Sequence, residues 1–192
     1  VNQKVSEILE TGSEVIINTP NDRNKRFDFA VVATHADTAL QILPKLPENK
    51  RTLLLKHRYA QNEVVLHSDE SLMPQNKRLW ASWNVTKQKG GNGDVHFQTS
   101  YYMNRLQRLK SKRIYVVTIN PAKEPAPDLT LFRTKYSHPL LLQDNLSHLQ
   151  DFDCLNRGGR ILFCGSYLGY GFHEDGFNSG LEVAEILQRR EG

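Results

Sequence analysis

Residues 163–180 read FCGSYLGYGFHEDGFNSG, which sets five glycines, several aromatic rings and the triplet His173-Glu174-Asp175 between an apolar run and a helical pattern. The run Ile161-Leu162-Phe163-Cys164 follows Gly158-Gly159 and ends at Gly165, as expected of a short strand covered on both faces. Past the loop, Phe177, Leu181, Ala184 and Leu187 recur on one face with Val183 and Ile186 beside them, predicting a helix from about Asp175 to Arg189. Glu174 and Asp175 stand at its positive end, Arg189 and Arg190 at its negative end. Ser179 and Gly180 are small enough to admit a close neighbour. The unit is strand, glycine-rich loop, helix, and its first-turn N–H groups suit a phosphate or an electronegative ring edge. A glycine-rich connection without a ligand has the same pattern, so this stretch alone leaves both readings open.

Working outward, Val15-Ile16-Ile17 and Phe27 to Ala33 are apolar runs of strand length separated by TPNDRNKR, whose Pro20, Asn21 and Asp22 supply turn chemistry. A hairpin is expected. FDFAVVA is almost continuously apolar, the pattern of a strand covered on both faces, and it ends at Thr34 and His35. Asp37 is the expected N-cap of a helix carrying Ala39, Leu40 and Leu43 on one face and stopped by Pro44.

From about residue 52 to 135 the texture changes to alternation and turns. Strands are expected at Glu63–His67, Leu79–Val85, Val95–Ser100, Ile114–Ile119 and Leu129–Thr134, forming a separate antiparallel sheet. KQKGGNGD, with Gly90, Gly91 and Gly93, reads as the turn of a hairpin. In DVHFQTS, Val95, Phe97 and Thr99 face one side and His96, Gln98 and Ser100 the other, one side core and the other wet or facing a cavity. NPAKEPAPD is a loop. Leu141, Leu142, Leu146 and Leu149 predict a short amphipathic helix after His138-Pro139.

The chain has 192 residues and a net charge of +4. That balance raises an alternative reading, a basic module that binds polyanions or nucleic acid without catalysis. The basic residues do not gather in one tract; the densest group, Arg105, Arg108, Lys110, Lys112 and Arg113, reads as the solvated side of a short helix with Tyr102, Leu106 and Leu109 opposite, so nucleic-acid contact is not the expectation. No apolar run is long enough for a membrane span. The sequence opens on Val1, and its two methionines are Met73 and Met103, as expected of a piece of a longer polypeptide. With no signal-like stretch at its start, a cytoplasmic location is expected, with Cys154 and Cys164 as reduced, small core residues. Asn84-Val85-Thr86 and Asn145-Leu146-Ser147 match a glycosylation pattern that arises often by chance. No His or Cys pair falls at CxxC or HxxxH spacing, and no metal site is expected.

FCGSYLGYGFHEDGFNSGLEVAEIL resembles the C-terminal flavin-binding segment of the amine-oxidase-like FAD-dependent oxidoreductases. With FDFAVVATHADTAL, LWASWNV and YYMNRLQ, it looks like a bacterial branch described as predicted NAD/FAD-binding proteins, and the resemblance runs nearly the whole length. It implies an α+β chain in which 1–50 and 151–192 are the C-terminal portion of a discontinuous FAD-binding domain. Residues 51–150 would form a substrate-type domain with an antiparallel sheet. It implies that Gly165 approaches the ribityl and pyrophosphate part of FAD, with Ser166 where many members carry an acidic residue. Asp175-Gly176 matches the family's Glu-Gly pair, which makes the Phe177 N–H the candidate contact for the flavin pyrimidine edge, with His173 and Glu174 alongside. Val5 fits the valine whose backbone grips adenine. Trp80, Trp83, Tyr101 and Tyr102 are candidates to line a substrate cavity, core packing being the other reading of the same rings.

An FAD-binding domain of this kind needs a strand, a GxGxxG turn and a helix for the pyrophosphate. The sequence contains no such turn; Gly90-Gly91-Asn92-Gly93 lies between alternating strands. The expectation is an N-terminal segment of the same polypeptide as partner, a small or lipid-like substrate giving hydride to flavin, and an isolated chain that is inactive. No catalytic residue is named, since a flavin can accept hydride without a protein base.

Overall fold

The computed structural model describes residues 2–89, 95–140 and 151–191. In chain order its strands are β1 (Glu7–Glu10), β2 (Val15–Asn18), β3 (Lys25–Phe27), β4 (Ala30–Val32), β5 (Tyr59–His67), β6 (Trp83–Lys89), β7 (Val95–Tyr102), β8 (Val116–Ile119), β9 (Thr130–Pro139) and β10 (Ile161–Phe163). Its helices are α1 (Ala36–Ile42), α2 (Glu48–Leu55), α3 (Met103–Leu106), α4 (Asp151–Asn156) and α5 (His173–Glu191). They form two compact units, Val1–Tyr59 with Pro139–Gly192, and Ala60–His138. Helices and antiparallel sheets together give the α+β class.

In the first unit, β1, β2 and β3 form an antiparallel meander. The apolar run Phe27 to Ala33 is not one strand. It divides at Asp28: Phe27 ends the meander, and β4 starts afresh as the parallel partner of β10, with Ala30 opposite Ile161 and Val32 opposite Phe163. The Arg160 guanidinium donates to the Asp28 carbonyl at the break, 3.0 Å. β10 is covered on both faces as its apolar run requires. Ile161 and Phe163 join a core with Ile8, Val15, Leu43, Leu54 and Leu155, while Leu162 and Cys164 pack with Val183 of α5. β4 is covered on one face only, because Val31 on the other is 44% exposed.

α1 starts two residues earlier than an Asp37 N-cap predicts. His35 precedes it without capping it through its side chain, and Asp37 sits in the first turn, its carboxylate accepting the Thr38 N–H at 2.7 Å. α5 starts at His173 and not at Asp175, and it buries a different face from the one expected. Ser179 and Val183 are buried and Ile186 and Leu187 half-buried, whereas Phe177 is 61% exposed and Leu181 and Ala184 point outward. The physical reason is the close approach of the preceding loop. Ser179 accepts the Gly165 N–H at 3.0 Å, which turns that side of the helix toward the loop, while the space beside Gly180, expected to admit a close neighbour, is open.

The second unit is a five-stranded sheet in the order β6-β7-β8-β5-β9. β5 begins at Tyr59 and β8 at Val116, while the run expected as a strand from Leu79 splits into a single 3-10 turn ending at Leu79 and a strand starting at Trp83. The basic helix shrinks to α3. Arg108 takes a positive φ of 52° and ends it, leaving Leu106 and Leu109 exposed. The turn at Gly90, Gly91 and Gly93 and the helix over residues 141–149 fall outside the described residues.

The buried face of this sheet is polar where the sequence is polar. Gln98, Ser100, Thr118 and His67 are buried together, while Val85, Val95 and Phe97 on the alternate positions are exposed. His67 Nε2 lies 2.8 Å from Thr118 Oγ1, which lies 3.0 Å from Ser100 Oγ. The Gln98 amide donates to Ser100 Oγ and to the Leu72 carbonyl, and accepts the Ala122 N–H. Such a chain of satisfied groups fixes one arrangement of the segments that cover it, since any unmatched member would bear its full desolvation cost.

Candidate functional site

The C-terminal ends of parallel strands are where open α/β units bind ligands, because the loops and helix starts there present unpaired backbone groups. Here those ends are Thr34-His35 after β4 and Cys164-Gly165 after β10, and the Cys164 N–H to Val32 carbonyl bond of 3.2 Å holds them side by side. Gly165, at φ 154° and ψ 160°, carries the chain into a 3-10 turn over Ser166–Leu168. A Cβ on it would stand 2.7 Å from the Tyr167 ring, so glycine is needed for that ring to fold back over the backbone. Ser179 of α5 ties the loop down, accepting the Gly165 N–H at 3.0 Å and donating to the Gly176 carbonyl at 2.9 Å.

The loop then runs to α5 through Gly169 and Gly171. One Asp175 oxygen accepts the N–H groups of Tyr170 (3.1 Å) and Phe172 (2.8 Å), the reach-back half of a capping box. The first intrahelical bond is Gly176 N–H to Phe172 carbonyl, 3.3 Å. The amides without an acceptor inside the helix are therefore those of His173, Glu174 and Asp175. Phe177 lies a turn further in, where its N–H belongs to the helical ladder. Two carboxylates in this first turn make the helix end unsuited to a phosphate and compatible with a neutral hydrogen-bonding edge.

Behind the strand ends, Tyr59 Oη accepts the Ala36 N–H that opens α1, at 2.9 Å, and the His35 ring stacks on Tyr59 at 4.6 Å. Burial pushes the phenols of Tyr59 and Tyr167 and the Cys164 thiol above their ordinary ranges, so all three stay neutral. No pattern in the sequence singles out Tyr59, His35 or Tyr167. Tyr167 shares its loop with Tyr170, and what distinguishes it is its burial and its fold-back over Gly165.

The expected site residues are distributed as follows. Gly165, Ser166, Asp175, Gly176 and Phe177 come together around the loop and α5, with His173 and Glu174 exposed at the helix start. Val5 lies just ahead of β1, half-buried against the core of the first unit. In the second unit the four aromatic candidates divide over the two faces of the sheet. Trp80, 7% exposed, packs edge-on against Tyr102 with Met73 and Val116. Trp83, 65% exposed, faces its cross-strand partner Tyr101 on the other side. Among the described residues no group of three or more His, Cys, Asp or Glu is placed to hold a metal, and no helix is long and apolar enough to cross a membrane.

No protein-family model matches the sequence, and the search of curated proteins found no match. Solved structures do match in fold. A CLA-producing fatty acid isomerase from P. acnes aligns at TM-score 0.63 and 9% identity over 95% of this chain and 47% of its own. A triple mutant of putrescine oxidase, redesigned in its cofactor binding, aligns at 0.60 and 13% over 98% and 49%. Cyclohexylamine oxidase from Brevibacterium oxydans IH-35A aligns at 0.53 and 14% over 98% and 49%. The chain spans about half the length of these structures and shares the fold of that half.

Proposed function

We propose that this chain is part of an FAD-dependent oxidoreductase of amine-oxidase type, taking hydride from a small or lipid-like substrate. The observation that carries the reading is the β4–β10 pair. Its two C-terminal ends, the Gly165 loop and the start of α5 converge as one side of a dinucleotide site requires. The shared fold with an amine oxidase, a diamine oxidase and a fatty acid isomerase supports it. Those three names span oxidation and isomerisation, so the substrate class stays broad.

The residues present fit the neutral half of FAD and not its pyrophosphate. Glu174 and Asp175 would repel a phosphate at the helix end, whereas the amides of His173, Glu174 and Asp175 would donate to a ring carbonyl. Gly165 and Ser166 would lie by the ribityl chain, where the Ser166 hydroxyl can donate or accept. Val5 would meet adenine through its backbone. When bound, FAD supplies the hydride acceptor. The chain's own residues would orient the ring, with half-buried Tyr59 and buried Tyr167 and Cys164 contributing neutral groups behind the strand ends.

On this reading the pyrophosphate is held by a GxGxxG segment of the same polypeptide, outside these residues, so the 192 residues alone bind FAD weakly and do not turn over. Cys164 is buried as expected, whereas Cys154 is exposed and not a core residue; both are unpaired, which suits the cytosol. The test is the spectrum of the purified full-length protein. A flavin absorption released on denaturation is expected, and a colourless protein that stays flavin-free after reconstitution with FAD would overturn the reading.

A further inference from the structure

Tyr167 is 7% exposed, and its hydroxyl is fully buried with no hydrogen-bond partner among the described residues. A phenol in that state bears the cost of leaving water without a compensating bond, a cost natural cores seldom tolerate unless the group is kept for use. Its ring is held by contact with Gly165 and stands edge-on to His57 at 4.9 Å. Beside it is a pocket of about 10 Å³ lined by His57, Arg58, Pro139, Leu140, Tyr167, Gly169 and Gly171. That volume admits one water-sized group and is too small for a phosphate or a ring.

We propose that the Tyr167 hydroxyl donates a hydrogen bond to a single acceptor oxygen, a carbonyl or hydroxyl, of a bound flavin nucleotide; this rests on the flavin reading above. Three features select that chemistry. The phenol is kept protonated in its apolar surroundings and is therefore a donor. The pocket takes one oxygen atom. Tyr167 follows Gly165 by two residues, at the strand ends where the neutral part of the nucleotide is expected. Tyr167 is a positioning residue in this scheme, holding the ring and moving no proton.

The test compares wild type with Tyr167→Phe in the full-length protein, using FAD as the probe. Removing the hydroxyl should raise the Kd for FAD about 3- to 10-fold, the loss of one ordinary net hydrogen bond. The flavin-free variant should melt at the same or a higher temperature than flavin-free wild type, because an unmatched buried group has been deleted. Tyr170→Phe, at an exposed tyrosine of the same loop, should change neither. Equal FAD affinity in wild type and Tyr167→Phe would overturn the proposal and leave the flavin reading standing. A lower melting temperature of flavin-free Tyr167→Phe would also overturn it, since the hydroxyl would then serve the resting fold. Failure of wild type itself to bind FAD would overturn both.

Discussion

His67 accepts the Asp69 N–H at Nδ1, 3.1 Å, which leaves its proton on Nε2 to be donated to Thr118. Burial holds the imidazole below its ordinary value of 6.5, against the pull of Asp69. Burial would lift Asp69, but the N–H groups of Ala126 and Ser71 keep its carboxyl low. The unfolded chain takes up a proton near pH 6.5 and the folded one only at lower pH, so His67 stabilises fully above that value and less as pH falls through the window beneath it. Urea unfolding from about pH 7.5 to about 5.5 should show that loss, and His67→Leu should flatten it. At neutral pH the same substitution should cost about 1–3 kcal/mol, because Thr118 and the Asp69 N–H lose their partner. An unchanged pH profile in the variant would remove His67 from the account.

At the scale of elements, α5 depends on a residue that the sequence marked for another reason. Asp175 matched a cofactor motif, and in the structure its carboxylate closes the turn that starts the helix. Asp175→Ala should therefore destabilise the protein by about 0.5–2 kcal/mol, as loss of a cap does. The early protection from hydrogen exchange should be lost at Tyr170 and Phe172 first. In the second unit, the aromatic pairs on opposite faces should separate by fluorescence. Trp83→Phe should leave a blue-shifted emission shielded from acrylamide, and Trp80→Phe a red-shifted, quenchable one. The strands of that sheet were legible in the alternation of DVHFQTS. Which side would be buried was not, because Gln98 and Ser100 pass into the interior only when Thr118 and the Leu72 carbonyl are there to meet them. The burial of Ser179 in place of Phe177 was hidden likewise, since periodicity ranks faces by apolar size and a close backbone approach reverses that ranking.

At the scale of the molecule, the antiparallel sheet and the strand–loop–helix unit could be read from local pattern, and the division of FDFAVVA between two sheets could not. Its second half is a strand only by virtue of β10, far along the chain. That pairing carries a kinetic consequence. Glu10 accepts the Arg160 N–H across 150 residues, and the β4–β10 ladder closes a loop of similar size, whereas the second unit is one continuous segment. Closing the longer loop costs more entropy and waits on more chain, so the segment Ala60–His138 should order first during refolding and during synthesis. Both tryptophans belong to it, which makes their fluorescence a clock for the early phase alone. Pulse-labelling exchange should find the amide of Leu162 protected after Trp80 has become buried. Simultaneous protection would mean that the two events form one cooperative step. A ribosome that has just carried His138 clear of its exit tunnel would thus present a finished sheet while β4 was still waiting for its partner.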